Sequence, residues 1–165
     1  MSLEAVTRAA LRYFDPETAI VMVAIAGAES AYRLDARGDP LSIFPPARQA
    51  AIRPYSCLGY TSFGPWQVHL PAHAPTLAAL TGSSDPCAWA AWLSDPDHSA
   101  QMARIVYDRQ GFRAWTAYNN GAYLGYLGLA RRAVEAAIRG EPLPPAPVAP
   151  EPPPGAPVIV IPGDP

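Results

Sequence analysis

The sequence predicts a mainly α-helical domain, α+β at most, over residues 1–140, followed by a proline-rich extended tail or linker over 141–165. Three observations carry that prediction. Asp15-Pro16, Asp85-Pro86 and Asp95-Pro96 each set an N-cap acid before a proline at the first helical position. Half of the 165 residues are apolar, enough for one core of ordinary size and too few for two domains. The composition also breaks near residue 140. Residues 1–140 hold all 12 arginines against 11 acids, whereas the last 25 residues hold 11 of the 21 prolines, three acids and no aromatic ring. Such a segment lacks the apolar bulk and the backbone donors to pack a core of its own.

The elements follow in order. A first helix runs from Ser2 to about Phe14, with Ala5, Ala9 and Tyr13 on one face. A second, about 16–30, is apolar nearly all round from Ile20 to Ala26, the pattern of a buried central helix. From Arg33 to about Pro71 no period is sustained, because Gly38, Pro40, Pro45, Pro46, Pro54, Gly59, Gly64 and Pro65 interrupt it. Asp35-Ala36-Arg37-Gly38-Asp39 reads as a turn. A structureless stretch of this length inside a compact domain is uncommon unless it is functional, and this one is rich in rings: Phe44, Tyr55, Tyr60, Phe63 and Trp66. Helices follow at about 86–93 and 96–110, the latter with Met102, Ile105 and Val106 inward and Gly111 as its stop. The last, about 121–139, has an apolar stripe of Leu127, Ala130, Val134 and Ile138 and outer i,i+4 pairs through Arg131, Glu135 and Arg139. Trp89, Trp92 and Trp115 read as core, and Gly121, Gly125 and Gly128 as sites of close helix packing. No internal repeat is present.

Several function classes are excluded. The net charge is −2 and there is no lysine, so no basic patch is available to displace counterions from nucleic acid. The longest apolar run, Ala19 to Ala28, is half of the roughly 20 residues a membrane span needs. Met1 to Glu4 lacks the basic start of a secretory signal. Cys57 and Cys87 belong to no CxxC pair, hence to no zinc framework. They read as two free thiols, with one disulfide across a ~30-residue loop as the other arrangement. His69 and His73 have i,i+4 spacing but no intervening HExxH glutamate, and Pro71 lies between them; with His98 they read as surface or supporting histidines, and no metal or cofactor is expected. Val158 to Ile161 is a β-prone run suited to pairing with a partner strand.

Glu29 is the most informative residue. It follows the ten-residue apolar run directly, at the C-terminal end of the helix expected to be central. The helix dipole and burial both disfavour its ionised form there, and both push it toward a proton donor usable near neutrality. The other reading is that the helix surfaces at this point and the acid is solvated.

The segment Gly27-Ala28-Glu29-Ser30 is followed by Ser62-Phe63-Gly64-Pro65-Trp66-Gln67-Val68 and later by Ala117-Tyr118-Asn119-Asn120-Gly121. In this order the three segments resemble the soluble lytic transglycosylase group of the lysozyme-like superfamily. Leu93 to Pro96, Tyr107, Gln110-Gly111 and Trp115 are similar to phage tail and virion-associated muralytic domains. The likeness covers roughly residues 14–127. It implies a lysozyme-like helical domain in which a loop and short-strand region forms one cleft wall. It implies cleavage of the β-1,4 bond between N-acetylmuramic acid and N-acetylglucosamine, with Glu29 as the catalytic acid and Tyr118 placing its hydroxyl near that carboxyl. Ser30, Ser62 and Gln67 would serve the substrate side of the site, and Asn119 would bind substrate or hold its loop. At Pro65 and Trp66 the chain departs from the Leu and Met usual in the family; Trp66 is either a stacking surface for sugar or core filler. Lytic transglycosylases use one carboxylate as acid and then base, with the substrate's own 6-hydroxyl closing a 1,6-anhydro ring. The alternatives are hydrolysis with a second acid, for which Asp35 and Asp39 are the candidates, and a silent glycan-binding or structural virion component. The implied partners are peptidoglycan strands and, through the tail, other virion proteins. The implied setting is the virion or the bacterial envelope.

Overall fold

A computed structural model of the chain describes residues 2–147. The protein is mainly α-helical with one small antiparallel sheet, as the composition and the helix starts predict. Helix α1 spans Ser2–Tyr13 and α2 spans Pro16–Ser30; α5 (Pro86–Leu93) and α6 (Pro96–Gln110) have the expected bounds. Each Asp-Pro start works as anticipated. Asp15 accepts from the Thr18 amide at 3.0 Å, Asp85 from the Cys87 amide at 2.9 Å, and Asp95 from the amides of Asp97 and His98 at 2.9 and 3.1 Å. Each carboxylate thereby satisfies N–H groups that a helix start leaves without acceptors.

The last predicted helix divides in two: a 3-10 turn over Ala122–Tyr126 and then α8, Leu127–Arg139. Its buried face is Ala130, Ala133, Val134 and Ala136, whereas Ile138 is exposed, correcting the stripe read from spacing. Arg139 pairs with Glu141 at 3.0 Å. Helix α2 is the buried axis of the domain and packs against α1, α8 and the 122–126 turn; α1 in turn lies on α6 and α8. From Ala19 to Ala26 only Val21 escapes full burial, which is why apolar residues run round the whole helix.

The region read as irregular contains more structure than expected. Strands β1 (Arg37–Pro40), β2 (Tyr60–Phe63) and β3 (Val68–His69) form an antiparallel sheet in that order, with Gly38 opposite Ser62 and Ser62 opposite His69. The turn assigned to residues 35–39 is therefore in part a strand. Two further helices, α3 (Pro46–Ile52) and α4 (Leu70–Thr81), flank the sheet. Helix α3 buries only Ile52 and so leaves no periodic trace. Helix α4 contains Pro75 and kinks at His73, so its prolines read as breakers in the sequence. A four-residue helix α7, Thr116–Asn119, follows the 3-10 turn at 111–114.

Beyond α8, Leu143 and Ala146 pack on the core, so the first residues of the proline-rich segment lie against the domain. The run Val158 to Ile161 lies outside the described residues. Among the described residues no helix is long and apolar enough to cross a membrane. Gly121 and Gly125 would meet no tight neighbour with an added Cβ, so they are not the close-packing sites expected of them. Gly27 is: a Cβ there would overlap the Tyr126 ring and the Tyr32 hydroxyl.

Cys57 and Cys87 form a disulfide across 30 residues, overturning the free-thiol reading. The bond ties the segment before β2 to α5. Helix α4 lies between the two cysteines and packs against α5, which brings the ends of that stretch together. A crosslink closing a loop of this size stabilises by roughly 3–4 kcal/mol through the unfolded chain. The double variant Cys57→Ser, Cys87→Ser should lose about that much in urea denaturation; an unchanged midpoint would contradict the pairing.

Candidate active site

Glu29 occupies the last turn of α2, half-buried, with the helix closed by Ala31 in the left-handed conformation at φ 51°. Its Oε1 accepts a hydrogen bond from the Ala117 amide at 3.1 Å. That amide belongs to the first turn of α7, where N–H groups have no intrahelical acceptor. Burial pushes the Glu29 carboxyl above its ordinary value. The Ala117 hydrogen bond opposes the rise, and the negative charge of Asp39 adds to it. The solvated-acid reading is not what the fold presents.

Two buried tryptophans hold this arrangement. The Trp66 indole N–H donates to the Met22 carbonyl of α2 at 2.8 Å, and its own carbonyl accepts from the Trp115 indole at 2.9 Å. Trp66 is fully buried, so it is a clamp in the core and not a platform for sugar. Trp115 stands two residues before Ala117. Three segments distant in sequence are thus fastened to one another within a few residues of the Glu29 carboxyl.

The other predicted residues divide. Gln67 lies at the sheet end of the site in a left-handed backbone at φ 47°, with its amide donating to the Gly64 carbonyl at 3.0 Å. Its Oε1 fills the space a Cβ at Gly38 would take, so that glycine is required by close approach. Gln67 also lines a cavity of about 240 Å³ together with His69, His73, Val106, Gln110 and Trp115. Ser30 is buried and its hydroxyl donates to the Ala26 carbonyl at 2.8 Å, so it stabilises the helix end and is not presented to substrate. Asn119 is exposed and its amide donates to the Arg113 carbonyl at 2.9 Å, the loop-holding role. Tyr118 does not hydrogen-bond Glu29. Its ring stacks between Phe112 and Tyr123, with centroids at 5.2 and 4.8 Å.

Ser62 is fully buried and donates to the Asp39 carboxylate, with His69 Nδ1 3.3 Å from the same oxygen. Asp39 is also held at the backbone, where its carbonyl accepts from Thr61 Oγ1 at 2.9 Å, and its φ is 52°. Of the two acids weighed as a second carboxylate, Asp39 acts on Glu29 and Asp35 does not. Of the five non-glycine residues with positive φ among the described residues, four (Ala31, Tyr32, Asp39 and Gln67) lie in segments that build this site. Such backbone persists only where the surroundings over-determine it. Tyr32, fully buried, has a hydroxyl without a hydrogen-bond partner, and burial raises its pKa far above the usual range. The Ala117 amide leaves no mark in the sequence, since a main-chain donor carries no residue signature.

The histidines do not converge on a metal. His98 stacks flat on Trp92, with centroids 4.5 Å apart. Among the described residues no three His, Cys, Asp or Glu side chains are grouped to hold an ion.

A carboxyl raised by folding binds protons more tightly in the native state. Its contribution to stability is fully present below the unfolded value and is lost as pH rises through the folded one. Glu29→Gln keeps an acceptor for the Ala117 amide and removes the buried charge. In denaturation across pH, the variant should gain on the parent as pH rises above about 4.5 and lose that advantage in acid; a constant difference would contradict the raised value.

Comparison of the chain with protein-family models, with curated proteins and with solved structures finds no match.

Proposed function

We propose that the protein cleaves the glycan strands of peptidoglycan at the β-1,4 bond between N-acetylmuramic acid and N-acetylglucosamine, with Glu29 as the acid. The observation that carries this reading is the position of Glu29: a half-buried carboxyl at the end of a buried helix, pushed toward its protonated form and oriented by the Ala117 amide. A general acid works best when its pKa lies near the working pH. The motif order Glu29-Ser30, Gln67 and Tyr118-Asn119 supports the lysozyme-like assignment, with Gln67 lining the cavity.

In the transglycosylase route, Glu29 protonates the leaving glycosidic oxygen. The resulting carboxylate then takes the proton of the 6-hydroxyl as that oxygen closes on the anomeric carbon, giving a 1,6-anhydro end. Hydrolysis is the second reading, with Asp39 as the acid that would activate water; its hold on Ser62 and the effect of its charge on Glu29 support it. The Cys57–Cys87 disulfide suits work outside a reducing cytoplasm, in keeping with delivery to the bacterial envelope by a virion.

Glu29→Gln should slow the clearing of purified cell walls by about 10²–10⁴-fold, the range for loss of a general acid. Equal clearing by parent and variant would remove Glu29 from the chemistry. Mass spectrometry of the fragments separates the routes, anhydro ends marking transglycosylation and reducing ends hydrolysis.

A further inference from the structure

Each strand of the sheet contributes one polar side chain to a single row: Asp39 from β1, Ser62 from β2 and His69 from β3. The chemistry of the three groups fixes the direction of the bonds. An ionised carboxylate only accepts, so the one hydroxyl hydrogen of Ser62 goes to Asp39. His69 Nδ1, 3.3 Å from the Ser62 oxygen, must then be the donor, and the neutral ring carries its proton on Nδ1. The donors run one way, from ring to hydroxyl to carboxylate. Ser62 is fully buried and the Asp39 backbone is held in a left-handed conformation by Thr61, so the carboxylate has little freedom to swing away.

We propose that Ser62 and His69 are positioning residues for Asp39, and that the row sets where the Asp39 carboxylate stands relative to Glu29. This rests on Glu29 being the catalytic acid and adds to it the residues that hold the second acid. In the row, the neutral imidazole supplies a donor without adding a cation that would cancel the Asp39 charge. Burial and the Arg48 charge on α3 are set against protonation of His69, and Asp39 favours it; at His73 burial, Arg109 on α6 and His69 are all set against protonation. At Glu29 the groups that act are the Ala117 amide and Asp39.

The test is NMR on the full chain, reading the His69 ring nitrogens and the Glu29 carboxyl carbon in parent and variants. The parent ring should be in the Nδ1–H form and should leave it in Ser62→Ala. Asp39→Asn, which keeps the acceptor for Ser62 and deletes the charge, should lower the Glu29 midpoint by roughly 0.3–1 pH unit, as expected of one nearby charge. Ser62→Ala should reproduce part of that fall, as should His69→Leu, whereas His69→Asn, which keeps a donor near the Nδ1 position, should restore the parent midpoint. An unchanged Glu29 midpoint in Asp39→Asn overturns the proposal, as does an Nε2–H ring in the parent. So does a fall in Asp39→Asn that neither Ser62→Ala nor His69→Leu shares. A parent protein that gives the expected titrations and leaves cell walls intact supports the row and overturns the catalytic reading instead.

Discussion

The site depends on the hydrogen-bonded tryptophan pair. Trp66 ties the middle of α2 to the bend between β2 and β3, and Trp115 ties that bend to the start of α7. Without that fastening, the Ala117 amide has no reason to lie 3.1 Å from the Glu29 carboxyl. Both acceptors are main-chain carbonyls, and loss of the Trp115 indole donor leaves the buried Trp66 carbonyl unpaired at a cost of about 1–3 kcal/mol. The clamp therefore couples the stability of the core to the geometry of the acid, and a substitution at Trp66 or Trp115 acts on both.

Around that clamp the fold concentrates costly features. A carboxyl is half-buried at the negative end of a helix, a tyrosine hydroxyl is buried without a partner, and four side-chain-bearing residues adopt left-handed backbone. Each disfavours folding taken alone. They are tolerated because α2 is buried almost completely, because the Trp66 and Trp115 contacts leave the segments no alternative packing, and because the disulfide holds the sheet side to α5. Gly27 and Gly38 admit the closest approaches, of Tyr126 to the helix and of Gln67 to the sheet.

Much of the helical frame was legible in the sequence, for a local reason. An acid, a proline and an apolar period report on the residues that contain them, and so α2, α5 and α6 could be placed at their true bounds. Glu29 was legible because a charge directly after ten apolar residues conflicts with its surroundings. The sheet was not, since strands of two to four residues carrying Gly38, Pro40 and two buried hydroxyls show no alternation. Asp39 therefore passed as a turn residue, and Ser62 and Gln67 were tied to substrate while their partners across the sheet went unseen. Likeness to a motif points Ser30 outward, whereas its hydrogen bond turns it inward to Ala26; of the two readings of Trp66, its bond to Met22 selects the core. Contacts that join distant segments leave no local mark; the Cys57–Cys87 pair is the plainest case.

The most direct measurement is the titration of the Glu29 carboxyl carbon in the native parent protein, free and with a bound chitooligosaccharide. A midpoint clearly above 4.5 in the free protein, raised further as bound sugar excludes water, is the expected result. A midpoint at the ordinary aqueous value in both states would mean that folding does nothing to retain this proton, and Glu29 would then be an ordinary surface acid.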